Sequence, residues 1–361
     1  MHIGIIGCGK IFHAYAKGAA HYADLDLVAC ADLDPERAAA TAGEFDVPWH
    51  GTVDDLLARD DVGLVLNLTI PAAHAAVDQQ ILAAGKHAYS EKPLALSVEE
   101  FDAVAALAAE QDRLVGCAPD TFLSANFQAA RRLVDAGDIG QVIAGVACMA
   151  CPGHESWHPS PAFYYQAGGG PLFDMGPYYL TALVSLLGPV AAVCGFSGRA
   201  RKERLVTSEP LAGSRIPVEI DTHYSATLHF AGGALITLIM SFDVHQHRLP
   251  KLELYGTDGT LYLPDPNTFG GAVSVAHGKE DEPTAINVTA DAGTRGAGAA
   301  DLIQASQQGR GPRADYRLAR HVLDIMQTIS EAARTGRSIE LQSTCDRPAP
   351  LADGELALRP A

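Results

Sequence analysis

The chain has 361 residues, a length that favours two domains or one large one. Its composition, 48% hydrophobic and 19% charged, is typical of a globular protein and excludes a disordered or low-complexity chain. The formal net charge of −17 disfavours nucleic acid and anionic membranes as partners. No apolar run approaches the ~20 residues of a membrane span, and no basic leader opens the chain. We therefore expect a cytoplasmic protein.

Residues 1–119 alternate short apolar strands with Ala-rich helical segments, which is typical of a parallel sheet covered by helices. The predicted strands cover 3–6, 25–31, 62–68 and 114–117. Asp34 followed by Pro35 predicts one helix start, and the capping box from Ser97 to Glu100 predicts a helix through Glu110. The pattern predicts a first α/β domain over 1–119.

Residues 120–342 have a different texture, with β-rich stretches that predict a second domain built on a mostly antiparallel sheet. Two alternating arms around Asp258-Gly259 predict a hairpin over 252–263. Helices are predicted over 124–136, near 299–308, and from Leu318 to a stop near Gly336. Residues 343–361 read as a C-terminal tail.

The first strand runs directly into Gly7-Cys8-Gly9-Lys10-Ile11, where a helix begins. This context predicts a dinucleotide site, because Gly7 permits a tight turn and Gly9 lets the backbone approach a pyrophosphate. Phe12 replaces the usual third glycine, so an ordinary strand–helix turn stays an alternative. Asp32 ends the second strand, where a carboxylate binds ribose hydroxyls and repels a 2′-phosphate. With Leu33 beside it, NAD is favoured over NADP.

Three further segments carry groups suited to chemistry. Lys92 lies between Glu91 and Pro93, whose ring restrains the loop. From the residues alone, a single lysine in a loop is more often simply solvated, and only the resemblance described below favours a chemical role. Asp174 and Tyr178 are four residues apart, which places both on one face of a helix, although Asp174 could instead cap the helix N-terminus. Oxidation of an alcohol requires a base of this kind to take the hydroxyl proton.

The segment from His154 to His158 matches the zinc motif HExxH, but Pro152-Gly153 and Pro159 disfavour the helix that the motif requires. We therefore predict no metal site. In a loop, Trp157 could stack on a sugar while His154, Glu155 and His158 bond its hydroxyls; a purely structural loop is equally favoured. Cys148 and Cys151 lie on a predicted strand, which favours buried reduced thiols over a redox pair.

Together these motifs resemble the glucose-fructose oxidoreductase / inositol dehydrogenase (Gfo/Idh/MocA) family over most of the chain. The specific part is Ser90-Glu91-Lys92-Pro93, preceded by Gly85-Lys86-His87, and Tyr178 stands where many relatives have histidine. The resemblance implies an N-terminal Rossmann domain and a second domain with an open, mostly antiparallel sheet (α/β plus α+β). The open sheet face implies a homodimer or homotetramer.

The resemblance also implies roles for residues. Lys92 and Tyr178 would serve proton transfer and hydroxyl positioning, and Asp174 would orient the substrate and tune Lys92. Which of the two is the immediate base stays open, since tyrosine is a poor base at neutral pH without a nearby cation. The implied cofactor-binding residues are Gly7, Gly9, Lys10, Ile11, Phe12, Asp32, Leu33, Asn67, Thr69, Pro71, His74, Glu91 and Lys92.

Three functions follow from this sequence. The first is an NAD-dependent oxidoreductase that moves a hydride to or from a secondary alcohol carbon of a sugar, sugar derivative or cyclitol. The second uses a tightly bound NAD in a redox-neutral lyase, epimerase or glycosidase reaction. The third is a non-catalytic NAD-binding sensor, against which the joint presence of Lys92, Asp174 and Tyr178 argues.

Overall fold

Six parallel strands form the sheet of the first unit in the computed structural model, which describes residues 1–278 and 282–360. The strands are β1 (His2–Ile6), β2 (Asp26–Ala31), β3 (Trp49–Gly51), β4 (Leu64–Asn67), β5 (His87–Ser90) and β6 (Val115–Cys117). Their spatial order is β3-β2-β1-β4-β5-β6, the order of a Rossmann fold. All four residues of β4 are buried, as expected for a strand covered on both faces. The sequence did not predict β3 or β5, which have only three and four residues.

The helices begin largely where the capping patterns predict. They are α1 (Phe12–His21), α2 (Pro35–Glu44), α3 (Val53–Leu57), α4 (His74–Ala83), α5 (Val98–Glu110), α6 (Ala125–Ala136), α7 (Gly170–Leu187), α8 (Ala297–Gln308) and α9 (Tyr316–Thr335). The Asp34 carboxylate accepts hydrogen bonds from two N–H groups in the first turn of α2, and Ser97 caps α5 in the same way. The helix predicted near 299–308 begins two residues earlier. Gly336, with φ +66°, follows α9.

A nine-stranded mixed sheet forms the centre of the second unit. Its strands are β7 (Val142–Ala150), β8 (Val190–Gly198), β11 (His223–Phe230), β12 (Leu235–Ser241), β13 (Leu252–Gly256), β14 (Gly259–Leu263), β15 (Ser274–His277), β16 (Thr284–Ala285) and β17 (Ile339–Glu340); β9 (Glu203–Leu205) and β10 (Arg215–Pro217) pair separately. The order is β16-β15-β14-β13-β7-β12-β11-β8-β17. Among the described strands of this sheet, β7 and β12 pair in parallel and the other neighbours are antiparallel.

One face of this sheet is covered and the other is open. Helix α7 packs against β7, β11 and β12. Large apolar side chains remain exposed at Phe196 on β8 and Leu235 on β12. The predicted hairpin is confirmed as β13 and β14, with Leu252 opposite Leu263. Its turn is Thr257-Asp258, because Gly259 is already the first residue of β14.

The two units are not contiguous in the chain. The first comprises Met1–Gln128, Thr289–Arg320 and the residues from Pro348 on, and the second comprises Ala129–Val288 and His321–Arg347. The predicted division at residue 120, with a separate tail from 343, does not include this return of the chain to the first unit. A buried ionic network explains the return: Arg313 binds the fully buried Asp301 and also Glu355 in the tail.

Within the part of the chain that the structure describes, no helix is long and apolar enough to span a membrane.

Candidate functional site

A cleft of about 770 Å³ lies at the carboxyl ends of β1, β2 and β4 in the first unit. This is the edge of an open parallel sheet where ligands bind. Seven of the predicted cofactor residues line the cleft: Gly7, Gly9, Lys10, Ile11, Asp32, Leu33 and Thr69. Leu33 is 96% exposed and Ile70 is 68% exposed, so the cleft presents two apolar side chains to solvent.

The two glycines of the motif have different roles. Gly7 has φ +101°, and a Cβ there would lie 2.6 Å from the carbonyl oxygen of Leu68, so the turn itself requires glycine. A Cβ on Gly9 would meet no atom within 4 Å, because that position opens onto the cleft. Helix α1 begins beside it with no side-chain cap among the described residues and no acidic residue in its first turn. Uncapped N–H groups at a helix N-terminus are suited to binding a phosphate.

Asp32 is held in place by backbone. Its carboxylate accepts hydrogen bonds from the N–H groups of Cys8 (2.8 Å) and Asp34 (2.9 Å), and its side chain is only 9% exposed. The guanidinium of Arg37 lies 3.4 Å from the same carboxylate and also lines the cleft. Arg37 is therefore a neighbour of Asp32 in addition to Leu33, and it was not predicted from the sequence. Its position in the first turn of the helix after Asp32 is the signal that could have found it.

Several predicted cofactor residues lie beneath the cleft instead of on its surface. Phe12 is 1% exposed, and its ring packs against Phe45 with the centroids 5.3 Å apart, so it fills the core at the third glycine position. Asn67 is fully buried, and its amide donates to the His74 carbonyl (2.9 Å) and to Asp78 (2.8 Å). These side chains support the cleft from below.

Asp78 was not predicted. It is fully buried on α4, and burial raises its pKa to about 7, against the effect of the hydrogen bond from Asn67. A charged residue on the otherwise buried face of α4, where Ile81 and Leu82 follow, is a sequence signal for such a group.

The loop that carries Lys92 follows β5 and is fixed by its neighbours. Tyr15 donates a hydrogen bond to one oxygen of Glu91 (2.7 Å), and the N–H of Lys92 donates to the other (3.0 Å). The His74 ring lies 2.6 Å from the Pro93 carbonyl oxygen and 3.1 Å from that of Thr69, and so connects the two loops. The Lys92–Pro93 bond is cis. Pro71 begins a short 3₁₀ helix, Pro71–Ala73, just before His74.

In the second unit, Asp174 and Tyr178 both lie on α7, one turn apart as predicted. The helix begins at Gly170, so Asp174 is not its N-cap. The Asp174 side chain is 25% exposed, and one of its oxygens lies 3.9 Å from Nε2 of His154. Tyr178 is buried.

The segment from 154 to 158 forms turns and no regular helix, as its flanking prolines predict. His154 is buried, with its ring 4.2 Å from that of Tyr164 and 4.5 Å from that of Phe242, centroid to centroid. Burial lowers the pKa of His154, and Asp174 opposes this effect. Trp157 is 55% exposed beside it. The segment therefore brings three of the predicted substrate residues, His154, Trp157 and His158, into one ring cluster.

Glu155 is held in a different setting from the one predicted. Its two oxygens accept hydrogen bonds from Arg204 (2.9 Å) and from the hydroxyl of Tyr165. Arg204 is only 1% exposed and also binds Asp243 and the carbonyl oxygens of Pro152 and Phe242. Glu155 thus serves to anchor its loop, and we do not retain it as a ligand for substrate hydroxyls. No local pattern in the sequence indicates that Arg204, 49 residues away, is its partner.

Comparison with known proteins matches the N-terminal and the central region of the chain to models of the GFO/IDH/MocA oxidoreductases. Residues 1–118 match the model described as an oxidoreductase family with an NAD-binding Rossmann fold, and residues 127–262 match the GFO/IDH/MocA C-terminal domain. Inositol 2-dehydrogenase 3 of Saccharopolyspora erythraea is 32% identical over 282 residues, which cover 75% of each chain.

Two further comparisons are a shorter sequence match and a solved structure, the latter of which shows the fold alone. Inositol 2-dehydrogenase of Rhizobium meliloti is 29% identical over 175 residues, so the match spans about half of each protein, 48% of this chain and 51% of the relative. The crystal structure of an NAD-binding oxidoreductase from Klebsiella pneumoniae superposes with a TM-score of 0.82 at 20% identity, covering 94% of this chain and 98% of that one.

Proposed function

The chain belongs to the Gfo/Idh/MocA family of oxidoreductases, and from this premise we propose that it transfers a hydride between NAD(H) and a secondary alcohol or ketone carbon of a sugar, sugar derivative or cyclitol. The observation that carries the proposal is the cleft in the first unit. It combines Gly9, where the backbone is open to a ligand, the N-terminus of α1, which has no side-chain cap among the described residues, and the carboxylate of Asp32 in the cleft wall. These are the three elements that a dinucleotide requires.

The described residues fit NAD. The first turn of α1 and the backbone at Gly9 would hold the pyrophosphate, Asp32 would accept hydrogen bonds from ribose hydroxyls, and the exposed Leu33 and Ile70 would contact the adenine. When bound, the nicotinamide supplies the site that accepts or returns the hydride.

We assign the proton transfer to Lys92 and Tyr178, and the orientation of the substrate to Asp174. Lys92 is held on a loop whose neighbour Glu91 is fixed on both oxygens, which restricts the position of the lysine backbone. Asp174 and Tyr178 share one face of α7. When the substrate carbon gives up a hydride, its hydroxyl group must also lose a proton. Lys92 and Tyr178 are the groups to which we assign that proton transfer.

The proposed substrate class rests on the chemistry of the second unit and on the relatives' names. His154 and His158 supply hydrogen-bonding nitrogens, and Trp157 supplies an exposed ring that can cover the apolar face of a sugar or cyclitol. Inositol 2-dehydrogenase 3 of Saccharopolyspora erythraea, which matches three quarters of the chain, acts on a cyclitol by name.

The test is reduction of NAD, or of NADP, measured by nicotinamide absorbance against a panel of monosaccharides, glycosides and inositols. We expect turnover by the wild type and a loss of about 10²- to 10⁴-fold in kcat for Lys92→Ala, because a positioned proton carrier contributes that much. Lys17→Ala, at an exposed lysine on α1, is the matched control and should be unaffected. NAD affinity measured by calorimetry separates loss of chemistry from loss of folding.

A wild type that reduces no nucleotide with any of these compounds would overturn this proposal. Release of NAD from the denatured protein would then favour the redox-neutral enzyme, and reversible NAD binding without any reaction would favour the sensor.

One observation supports use of NADP as a second cofactor. Arg37 lines the cleft and is 53% exposed beside Asp32, so its guanidinium can approach a 2′-phosphate that the carboxylate alone would repel. NAD is the proposed cofactor, with NADP as the less favoured one.

We also propose that the chain forms a homodimer or homotetramer through the open face of the nine-stranded sheet. Phe196 on β8 is 73% exposed there and Leu235 on β12 is 49% exposed, and apolar side chains on an otherwise uncovered sheet favour burial against a second copy. Light scattering after size exclusion, for the wild type and Phe196→Glu, tests this directly: a wild-type monomer would contradict it.

A further inference from the structure

Two large aromatic rings remain exposed in the cluster around His158. Trp157 is 55% exposed and Phe163 is 51% exposed, and the centroid of each ring lies 5.4 Å from that of the imidazole of His158. The Phe163 ring also packs on Tyr164, with centroids 4.1 Å apart and the planes inclined by 32°. A continuous exposed patch of rings is the usual mark of a binding surface.

The backbone beneath these rings is pinned. The carbonyl oxygen of His158 accepts a hydrogen bond from Ser208 (2.5 Å), and its N–H donates to His154 (2.9 Å). The buried Arg204 holds the carbonyl oxygen of Pro152 (2.9 Å) and the carboxylate of Glu155 (2.9 Å). The rings are therefore presented on a preorganised loop, which lowers the entropy lost when a ligand binds.

One end of this patch of rings is polar, because it adjoins His154 and Asp174. The His154 ring lies 5.2 Å from that of Trp157, centroid to centroid, and its Nε2 is 3.9 Å from Asp174. His154 is nine-tenths buried, and its Nδ1 has no hydrogen-bond partner among residues 1–278 and 282–360. A ligand that satisfies both ends has hydroxyl groups at one end and an apolar surface at the other.

From this arrangement we infer that the substrate is a glycoside with an uncharged aromatic aglycone, and not a free sugar. One ring, Trp157, is enough to cover the apolar face of a single sugar, and the second exposed ring, Phe163, can then contact a substituent. Arg204 is buried and paired with Glu155 and Asp243, so it offers no charge to a nucleotide diphosphate. The inference deepens the proposed function and rests on it.

The first test compares 4-nitrophenyl and methyl glycosides of glucose, galactose and xylose by nicotinamide absorbance. The wild type is expected to show a higher kcat/KM for the 4-nitrophenyl member of a pair. Phe163→Ala should lower the ratio of the two kcat/KM values roughly twofold to tenfold, the contribution of one aromatic contact. Ile143→Ala truncates an equally exposed apolar side chain on β7 (51%) and should leave that ratio unchanged.

The second test measures binding without turnover. The chain has two tryptophans, so Trp49→Phe leaves Trp157 as the fluorescent reporter, and Trp157→Phe leaves Trp49 to measure absorption by the probe itself. Saturable quenching of Trp157 is expected with 4-nitrophenyl β-D-glucopyranoside, 4-nitrophenyl β-D-galactopyranoside or 4-nitrophenyl β-D-xylopyranoside, weakened by Phe163→Ala. It is not expected at equal concentration of the methyl glycosides.

The outcomes separate this inference from the proposed function. Equal kcat/KM for aryl and methyl glycosides, or tighter binding of UDP-glucose than of the 4-nitrophenyl glycosides, overturns the aryl-glycoside inference while the oxidoreductase stands. If no sugar is oxidised, the proposed function fails, and the fluorescence titration alone decides whether the rings bind an aryl group: absence of quenching by all three 4-nitrophenyl glycosides overturns the inference.

Discussion

The cleft of the first unit and the ring cluster of the second meet the same demand, rigid placement of a few groups, in different ways. In the cleft, backbone performs the placement: Gly7 forms the turn, and two N–H groups hold Asp32. In the ring cluster, one buried side chain, Arg204, binds the loop through Glu155 and Pro152. Groups held by the backbone can be recognised from the spacing of residues in the sequence. Groups held by a side chain from a distant part of the chain cannot.

Substitutions in these two regions should therefore differ in their effects on binding and on folding. A change at the surface of the cleft should alter nucleotide binding with little effect on folding. A change at Arg204, which holds the loop of the ring cluster, should alter folding first, because Arg204 is buried with its two carboxylate partners, Glu155 and Asp243.

The largest expected effect is that of Arg204→Met. The substitution keeps much of the side-chain volume and leaves Glu155 and Asp243 without their cation, which should lower the free energy of unfolding by about 3–5 kcal/mol. Urea unfolding followed by tryptophan fluorescence measures this. Arg215→Met, at an ion pair with Glu203 whose side chains are 66% and 57% exposed, should change it by less than about 1 kcal/mol. Equal effects of the two substitutions would show that the buried ion pairs of Arg204 stabilise the fold no more than an exposed ion pair does.

Beneath the cleft, Asp78 should make stability depend on pH. Its pKa is about 7 in the folded chain and about 4 when unfolded, so between these values the folded state retains a proton that the unfolded state has lost. Stability contributed by this group is therefore present at pH 4 and lost as pH rises towards 7, by at most about 1.4 kcal/mol per unit.

The measurement is urea unfolding of the wild type and Asp78→Asn at pH 5, 6, 7 and 8. The difference between them should change over the first three values and become constant above pH 7. Asp60→Asn, at an exposed carboxylate, should show no such change relative to the wild type. Parallel curves for the wild type and Asp78→Asn would mean that Asp78 titrates as an ordinary carboxylate.

The two glycines of the cleft test backbone placement. Gly7→Ala forces a Cβ into φ +101° and against the Leu68 carbonyl, so it should destabilise the fold by more than about 1–2 kcal/mol. Gly9→Ala meets nothing in the protein and should leave the melting temperature unchanged. It should raise the Kd for NAD roughly tenfold or more by displacing a phosphate contact. A lower melting temperature for Gly9→Ala would contradict the assignment.

The smallest effect is expected at Arg37. Arg37→Ala should lower the ratio of kcat/KM for NADP to that for NAD roughly twofold to fivefold, since a half-exposed cation contributes about 0.5–1 kcal/mol. Asp32→Ala should move the ratio in the opposite direction by removing the repulsion of a 2′-phosphate. An unchanged ratio in Arg37→Ala would show that the guanidinium serves only to pair with Asp32.

The sequence was most informative where a structure depends on neighbours in the chain. The caps at Asp34 and Ser97, the turn at Gly7 and the one-turn spacing of Asp174 and Tyr178 all agree with the structure. The prolines around 154–158 correctly excluded a helix. Phe12 shows the limit: its position in the motif was predictable, but its packing on Phe45 was not.

What the sequence by itself determined is the Rossmann unit, the family and the residues proposed for chemistry, because φ preferences, capping and hydrophobic period act over a few residues. Tertiary structure alone decided that residues 289–320 and the tail join the first unit, that Arg204 binds the carboxylate of Glu155, and that Asp78 is buried under the cleft. These contacts join positions far apart in the chain, 49 residues for Arg204 and Glu155 and 176 residues for Gly296 and Asp120. Their free energy comes from desolvation and charge pairing that exist only once the chain has folded.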